Sequence, residues 1–188
     1  MRVIAGKYRS RLLQSLPGLD IRPTADRLRE TLFNVLTAGN PNALQGTVWV
    51  DFYAGTGAVG IEALSRGAAK VHFVEASPPA AELIRKNLRA MGIESGFEVL
   101  RLDAIHALKS LNAGGVNATF IFLDPPYRLE TEYSRILAAL SSSQLINSGS
   151  LVIAEHQKKF DPGEEFGGLK RSRKLVQGDA ALSFYRTA

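Results

Sequence analysis

Apolar residues along this chain follow two periods, and the period switches several times. Short runs that are apolar at nearly every position stand at Thr47-Val48-Trp49-Val50, Val71-His72-Phe73-Val74, Phe120-Ile121-Phe122-Leu123 and Leu151-Val152-Ile153, and Phe97 to Leu102, with two charged positions, reads as a further strand. Runs of that length predict buried strands. Between them the pattern is helical. Ala58 to Ser65 predicts a helix stopped by Gly67, and Ser77-Pro78 opens one, serine as N-cap and proline in the first turn, that runs to Met91 and stops at Gly92. Asp103 is placed to cap a short helix, and Tyr133 to Leu140 predicts another. Ahead of the alternation, Leu28, Leu32, Phe33, Val35 and Leu36 recur at helical spacing from Thr24, and Gly39-Asn40-Pro41-Asn42 closes that helix. Strands alternating with helices imply a parallel sheet covered on both faces.

Both ends of the chain read differently. Val3, Ile4, Leu12 and Leu13 surround basic residues in an opening segment that predicts a hairpin ended by Pro17-Gly18. Lys174 to Gln177, Gly178-Asp179 and Ala181 to Arg186 predict a second hairpin, antiparallel, at one sheet edge. The stretch Gly163 to Gly168 is expected to be a mobile loop.

Composition narrows the class. The 188 residues suffice for one well-packed domain, and 45% apolar with 22% charged residues is ordinary for a soluble protein. No apolar run approaches the roughly 20 residues that span a bilayer, and the apolar part of Met1 to Lys7 is too short for a secretory signal. Without cysteine there is no disulfide, thiolate nucleophile or sulfur-ligated zinc. A cytoplasmic enzyme is expected. The net charge of +5 points to an anionic partner.

The first predicted strand leads into Asp51-Phe52-Tyr53-Ala54-Gly55-Thr56-Gly57-Ala58-Val59-Gly60. Glycines in such a turn let a backbone approach a ligand closely. Glu75 ends the next strand about 20 residues on, where an acid can bind ribose hydroxyls. Read literally, this is a dinucleotide fingerprint, and a tight turn with ordinary helix packing is the plainer alternative. Asp51 argues against a pyrophosphate, which needs the loop amides and the helix N-terminus unopposed. It suits the sulfonium and ammonium of S-adenosylmethionine. On that reading Asp51 takes the amino-acid portion, Glu75 the ribose, and Asp103-Ala104 the adenine, with Tyr53, Ala54, Gly55 and Gly57 forming the loop around the ligand.

Asp124-Pro125-Pro126-Tyr127 follows the fourth predicted strand. Two prolines remove two backbone donors and fix both φ angles, and the first holds Asp124 extended. The corner aims a carboxylate, leaves carbonyl oxygens free to accept, and sets an aromatic ring beside them. A planar amine fits it. The plainer alternative is a rigid turn with Asp124 capping and Tyr127 packed.

Together these residues resemble S-adenosylmethionine-dependent methyltransferases of exocyclic amines. The likeness is closest to the RsmD-type 16S rRNA (guanine-N2)-methyltransferases. It is carried by Arg2 to Tyr8, Arg22-Pro23-Thr24-Ala25-Asp26-Arg27-Leu28-Arg29-Glu30-Thr31-Leu32-Phe33-Asn34, Gly60 to Ala68, and Phe122 to Tyr127, in the family order. The resemblance implies a Rossmann-like class I α/β fold. Its sheet would be mostly parallel and seven-stranded, with helices on both faces, an antiparallel C-terminal edge hairpin and a small N-terminal β-hairpin extension. The expected division is 1–20 for that extension and 21–188 for the methyltransferase domain.

The implied reaction is methylation of guanine N2 in small-subunit rRNA, in a loop near the P site. Asp124, Pro125, Pro126 and Tyr127 would serve as the catalytic corner, with no metal. Arg2, Lys7, Arg9, Arg11 and Arg22 would hold rRNA phosphates, unless they form a solvated hairpin face. The expected partner is 16S rRNA within an assembling small subunit, bound by a monomer, without a membrane. Other readings are an acceptor such as adenine N6 in DNA or a protein glutamine, an NAD-dependent oxidoreductase, and a non-catalytic rRNA-binding assembly factor. Arg27, Arg29 and Glu30 either pair along one helix face or help close the site. His72, His106 and His156 are assigned no catalytic role, and Trp49 is expected in the core.

Overall fold

The strand–helix alternation forms as the periods predict. The computed structural model describes residues 1–15 and 23–188. Five parallel strands, β1 (Val48–Phe52), β2 (Lys70–Val74), β3 (Phe97–Leu100), β4 (Phe120–Leu123) and β5 (Leu151–Gln157), are followed by β6 (Glu165–Phe166), β7 (Leu169–Gln177) and β8 (Ala180–Thr187). The helices are α1 (Pro23–Leu36), α2 (Ala58–Ser65), α3 (Pro78–Ala90), α4 (Ala104–Ala113) and α5 (Glu130–Ser141). The sheet order is β3-β2-β1-β4-β5-β8-β7-β6, with β8, β7 and β6 antiparallel. Strand order reverses between β1 and β4, and in open α/β sheets the crevice beyond the carboxyl ends at such a reversal is where ligands bind.

Each central strand alternates between two cores. Trp49, Phe73, Phe122 and Ile153 pack with Leu28 and Leu32 of α1, Ile61 of α2 and Ile84 of α3. Val50, Ile121 and Val152 pack with Leu108 of α4 and Leu137 of α5. Trp49 is fully buried and stacks 5.4 Å from Phe33.

The structure amends several expectations. Among the described residues the sheet has eight strands rather than seven, because β6 lies inside the stretch expected to be a mobile loop. It is held there by Phe166 edge-on to Tyr185 and by the Tyr185 hydroxyl donating to the Gly163 carbonyl at 2.8 Å. Strand β5 runs four residues beyond its apolar start, and β7 begins five residues before Lys174. Ser77 occupies the N-cap of α3, but its side chain makes no capping bond; its N–H instead donates to Glu75 at 2.8 Å.

At the N-terminus the expected hairpin is reduced to one bridge, Arg2 to Leu12, with Val3 N–H donating to Arg11 and Ser10 N–H to Val3. What holds the segment is docking on α2 and α3. The buried Glu62 carboxylate accepts from the N–H groups of Ile4 (2.7 Å) and Ala5 (3.0 Å). Ser65 accepts from Tyr8 N–H, and buried Asn87 bonds both the N–H and the carbonyl of Gln14. Backbones touch at Gly6, where a Cβ would lie 1.9 Å from the Ser65 carbonyl oxygen, so only glycine fits. Pro17-Gly18 lies outside the described residues.

Candidate active site

Two chain segments leave the sheet side by side at the reversal point. From β1 the chain turns through Tyr53, which takes a left-handed φ of 61°, into the glycine loop. From β4 it enters Asp124-Pro125-Pro126-Tyr127. Asp51 is level with Phe122 in the parallel register, and Phe52 with Leu123. Paired residues on neighbouring strands face the same way, so Asp124 stands on the face of Asp51, one pleat repeat further along.

The acids at these strand ends also shape the loop. Asp51 is buried, and its Oδ2 accepts from Gly60 N–H at 3.0 Å. Glu75 accepts from Gly55 N–H at 2.9 Å through one oxygen and from Ser77 N–H through the other. The glycine loop is thus pinned at both ends by carboxylates. A Cβ at Gly60 would lie 2.3 Å from Phe73 Cε1, so this glycine serves helix–sheet packing. Ala54 is buried, and its N–H extends the ladder to Val74.

Asp103 departs from the group. It is exposed and caps α4, with Oδ1 accepting from Ile105 and His106 N–H and Oδ2 within 2.6 Å of His106 Nδ1. These bonds hold its carboxyl below the usual range. Ala104 beside it is buried. The Tyr53 hydroxyl donates to Glu132 of α5 at 2.7 Å, and burial, then that bond, raises its pKa.

The corner holds further groups that sequence reasoning missed. Register pairs Leu123 with Ala154, so Asp124 and Glu155 follow on adjacent strands. The Tyr127 hydroxyl donates to Glu155 Oε1 at 3.4 Å. Buried Tyr133 donates to the carbonyls of Glu155 (2.8 Å) and Pro125 (3.4 Å). One hydroxyl therefore ties the corner to β5. The signal for Glu155 was a single acid closing an apolar strand, hidden because the strand was read as ending at Ile153.

Burial raises Asp51 to about 7, opposed by the Gly60 N–H and reinforced by Asp124 and Glu75. Asp124 is likewise raised to about 7 by burial. Glu155 is pushed up by burial and then by Asp124, with the Tyr127 hydroxyl and Arg29 drawing it down. Asp51, Asp124 and Glu155 thus form a cluster of carboxyls on one face of the reversal point that burial and mutual repulsion hold toward the protonated form.

The basic residues are divided. Arg2 and Arg9 line a groove of about 450 Å³ with Ser10, Asp26, Arg27 and Glu30. Lys7 and Arg11 flank the Tyr8 ring, and Arg11 donates to the Met91 carbonyl at 2.6 Å. Arg22 lies outside the described residues. Arg29 is not a surface helix charge: it is buried, donates to the Arg2 carbonyl at 2.6 Å, and pairs with Asp26 at 3.2 Å.

This topology, with loop and corner meeting at the β1–β4 reversal and an antiparallel edge, is that of a class I methyltransferase. Sequence comparison makes the assignment specific. The family model "Conserved hypothetical protein 95" matches residues 1–186. The chain is 32% identical over 186 residues to YlbH of Bacillus subtilis, described as a candidate rRNA methyltransferase, covering 99% of this chain and 98% of that protein. It is 33% identical over 159 residues to ribosomal RNA small subunit methyltransferase D of Haemophilus influenzae, covering 84% of this chain and 79% of that one. Among solved structures, the candidate methyltransferase yhhF of Escherichia coli superimposes with a TM-score of 0.82 at 27% identity, over 100% of this chain and 98% of that one. The chain belongs to this family, the RsmD-type, S-adenosylmethionine-dependent methyltransferases.

Proposed function

We propose that this protein methylates the exocyclic N2 amine of a guanine in small-subunit 16S rRNA, in the loop near the P site, on an assembling subunit. The observation that carries the reading is the placement of Asp124 on the same face as Asp51, at the reversal point where the β1 loop and the β4 corner meet.

The residues fit S-adenosylmethionine better than a phosphate-bearing ligand. Asp51, Glu75 and Asp124 gather carboxyls where a pyrophosphate would add to their mutual repulsion, whereas a sulfonium and an ammonium would favour their ionised forms. Asp51 takes the amino-acid portion, Glu75 the ribose, and Asp103-Ala104 borders the adenine, within the loop of Tyr53, Ala54, Gly55 and Gly57. Bound there, S-adenosylmethionine supplies an electrophilic methyl carbon on a sulfonium. The amine nitrogen would form the new C–N bond as the C–S bond breaks, with S-adenosylhomocysteine as the leaving group and the amine proton released to the Asp124 carboxylate or to water.

The protein's part is placement. The guanine amine is a poor nucleophile because its lone pair is delocalised into the ring. Asp124 and the Pro125 carbonyl accept from its two N–H bonds, which favours a pyramidal nitrogen aimed at the methyl. Pro126 stiffens the corner and Tyr127 stacks on the base, a contact worth about 1–3 kcal/mol. The target must be unpaired or flipped out. Arg2 and Arg9, together with Arg27 across the groove, hold phosphates; Lys7 and Arg11 extend that surface.

The test is to incubate the protein with methyl-labelled S-adenosylmethionine and naked rRNA, unmodified small subunits or DNA, and to map the label. Label in N2-methylguanine of 16S rRNA is expected. Label in DNA adenine, in protein, or nowhere contradicts the reading.

A further inference from the structure

Glu155 is the acid that the mechanism above leaves unused. It follows Ala154, which pairs with Leu123, so it emerges from β5 beside Asp124 on the same face. Its carboxylate accepts from Tyr127, the ring placed to stack on the base, and its backbone is tied to Pro125 through Tyr133. Neither Asp124 nor Glu155 is fully sealed from solvent. Among the described residues Arg29 is the cation acting on Glu155, yet its ion pairs are with Asp26 and Glu62.

We propose that Glu155 is a specificity-determining residue of the acceptor site, accepting the N1–H of the target guanine while Asp124 accepts from the neighbouring N2 amine. This rests on the guanine reading above and extends it to the choice of base. In the free protein the adjacent carboxyls of Asp124 and Glu155 limit their repulsion by holding a proton, and a ligand that presents contiguous donors takes that proton's place and leaves both groups as acceptors. Guanine does so, since N1–H and N2–H₂ are adjacent on one edge. Adenine N6 lies beside the acceptors N1 and N7, cytosine N4 beside the acceptor N3, and a glutamine amide beside its own carbonyl. Each of these would turn a lone pair toward Glu155. An acceptor that a bound base covers and leaves facing a lone pair is the arrangement by which sites reject near-isosteres most strongly.

The experiment compares guanine with 2-aminopurine, which keeps the 2-amine but carries an unprotonated N1. Full-length protein is assayed on small subunits whose rRNA is ligated with either base at the mapped position. Wild type should lose about 100-fold or more in kcat/KM on 2-aminopurine. Glu155→Gln offers an N–H to the unprotonated N1. It should lose about tenfold or more on guanine yet exceed wild type on 2-aminopurine, with calorimetric binding of S-adenosylmethionine unchanged.

Equal use of the two bases by wild type overturns the proposal without recourse to any variant. So does a Glu155→Gln protein whose losses on both bases are the same, which would make Glu155 a support for Tyr127 alone. A wild-type protein that leaves rRNA guanine unlabelled overturns the underlying function instead, and this proposal with it.

Discussion

The Oδ2 atom of Asp51 accepts a hydrogen bond from the backbone N–H of Gly60 at 3.0 Å, so the last turn-facing acid of β1 and the first turn of α2 are locked together. Burial raises this carboxyl to about 7 despite that bond. In the unfolded chain it titrates near 3.8. Between those values the native state holds a proton that the unfolded state has released. The contribution of this carboxyl to stability is therefore greatest below about 4, falls as pH rises, and levels off above about 7. The span corresponds to something on the order of 4 kcal/mol. Asp51→Asn keeps an acceptor for Gly60, so its stabilising effect should grow from pH 5 to pH 8 in thermal unfolding. Calorimetric titration should show that it binds S-adenosylmethionine at least tenfold more weakly. A constant effect across that pH range would contradict the assignment of a buried, titrating carboxyl.

Gly60→Ala should destabilise the fold by about 1–3 kcal/mol, because the added methyl meets the Phe73 ring and Val71. Urea unfolding measures this. Pairing the change with Phe73→Leu should recover part of the loss, and failure of the pair to couple would place the strain elsewhere.

Removal of the Glu62 carboxylate should release the N-terminal segment. Glu62→Ala strips the acceptors from Ile4 and Ala5 and leaves Arg66 without its 2.7 Å partner. A loss of about 3–5 kcal/mol is expected from breaking a buried pair on one side. Limited proteolysis should cut within residues 1–15 at protease levels that spare the wild type.

The groove cations should act through charge alone. Arg9→Ala and Arg27→Ala should each weaken rRNA binding similarly across sequences and reduce the salt dependence by about one phosphate contact. Filter binding at several salt concentrations reads both. An effect on one RNA sequence only would indicate base readout instead.

Much of the site was legible because strand cores announce themselves. Apolar runs located β1 and β4, and their ends located Asp51 and Asp124. Glu155 was hidden by the same rule, since β5 continues through Glu155 and His156 by pairing with Leu182 and Ala181 of β8. That partner lies near the end of the chain, and no local pattern reveals it. Arg29 reads from sequence as pairing along its helix face or closing the site, and nothing local to Glu62 marks it as buried; both are buried and bonded to the N-terminal segment, which lies far from them in the chain. Strand β6 is two residues long, and it pairs with β7 and packs on Tyr185 of β8, partners that no local pattern reveals. Asp103 was the reverse case: its capping bonds were local, and the cap was readable from sequence.

The most direct test of the account is Asp124→Ala, assayed beside wild type for binding of S-adenosylmethionine and for methyl transfer to unmodified small subunits. Transfer should fall by about a thousandfold or more, since the acceptor that positions the amine is gone. Binding of S-adenosylmethionine should stay within about threefold, because Asp51 and Glu75 still hold the loop. Undiminished transfer by Asp124→Ala would contradict the account.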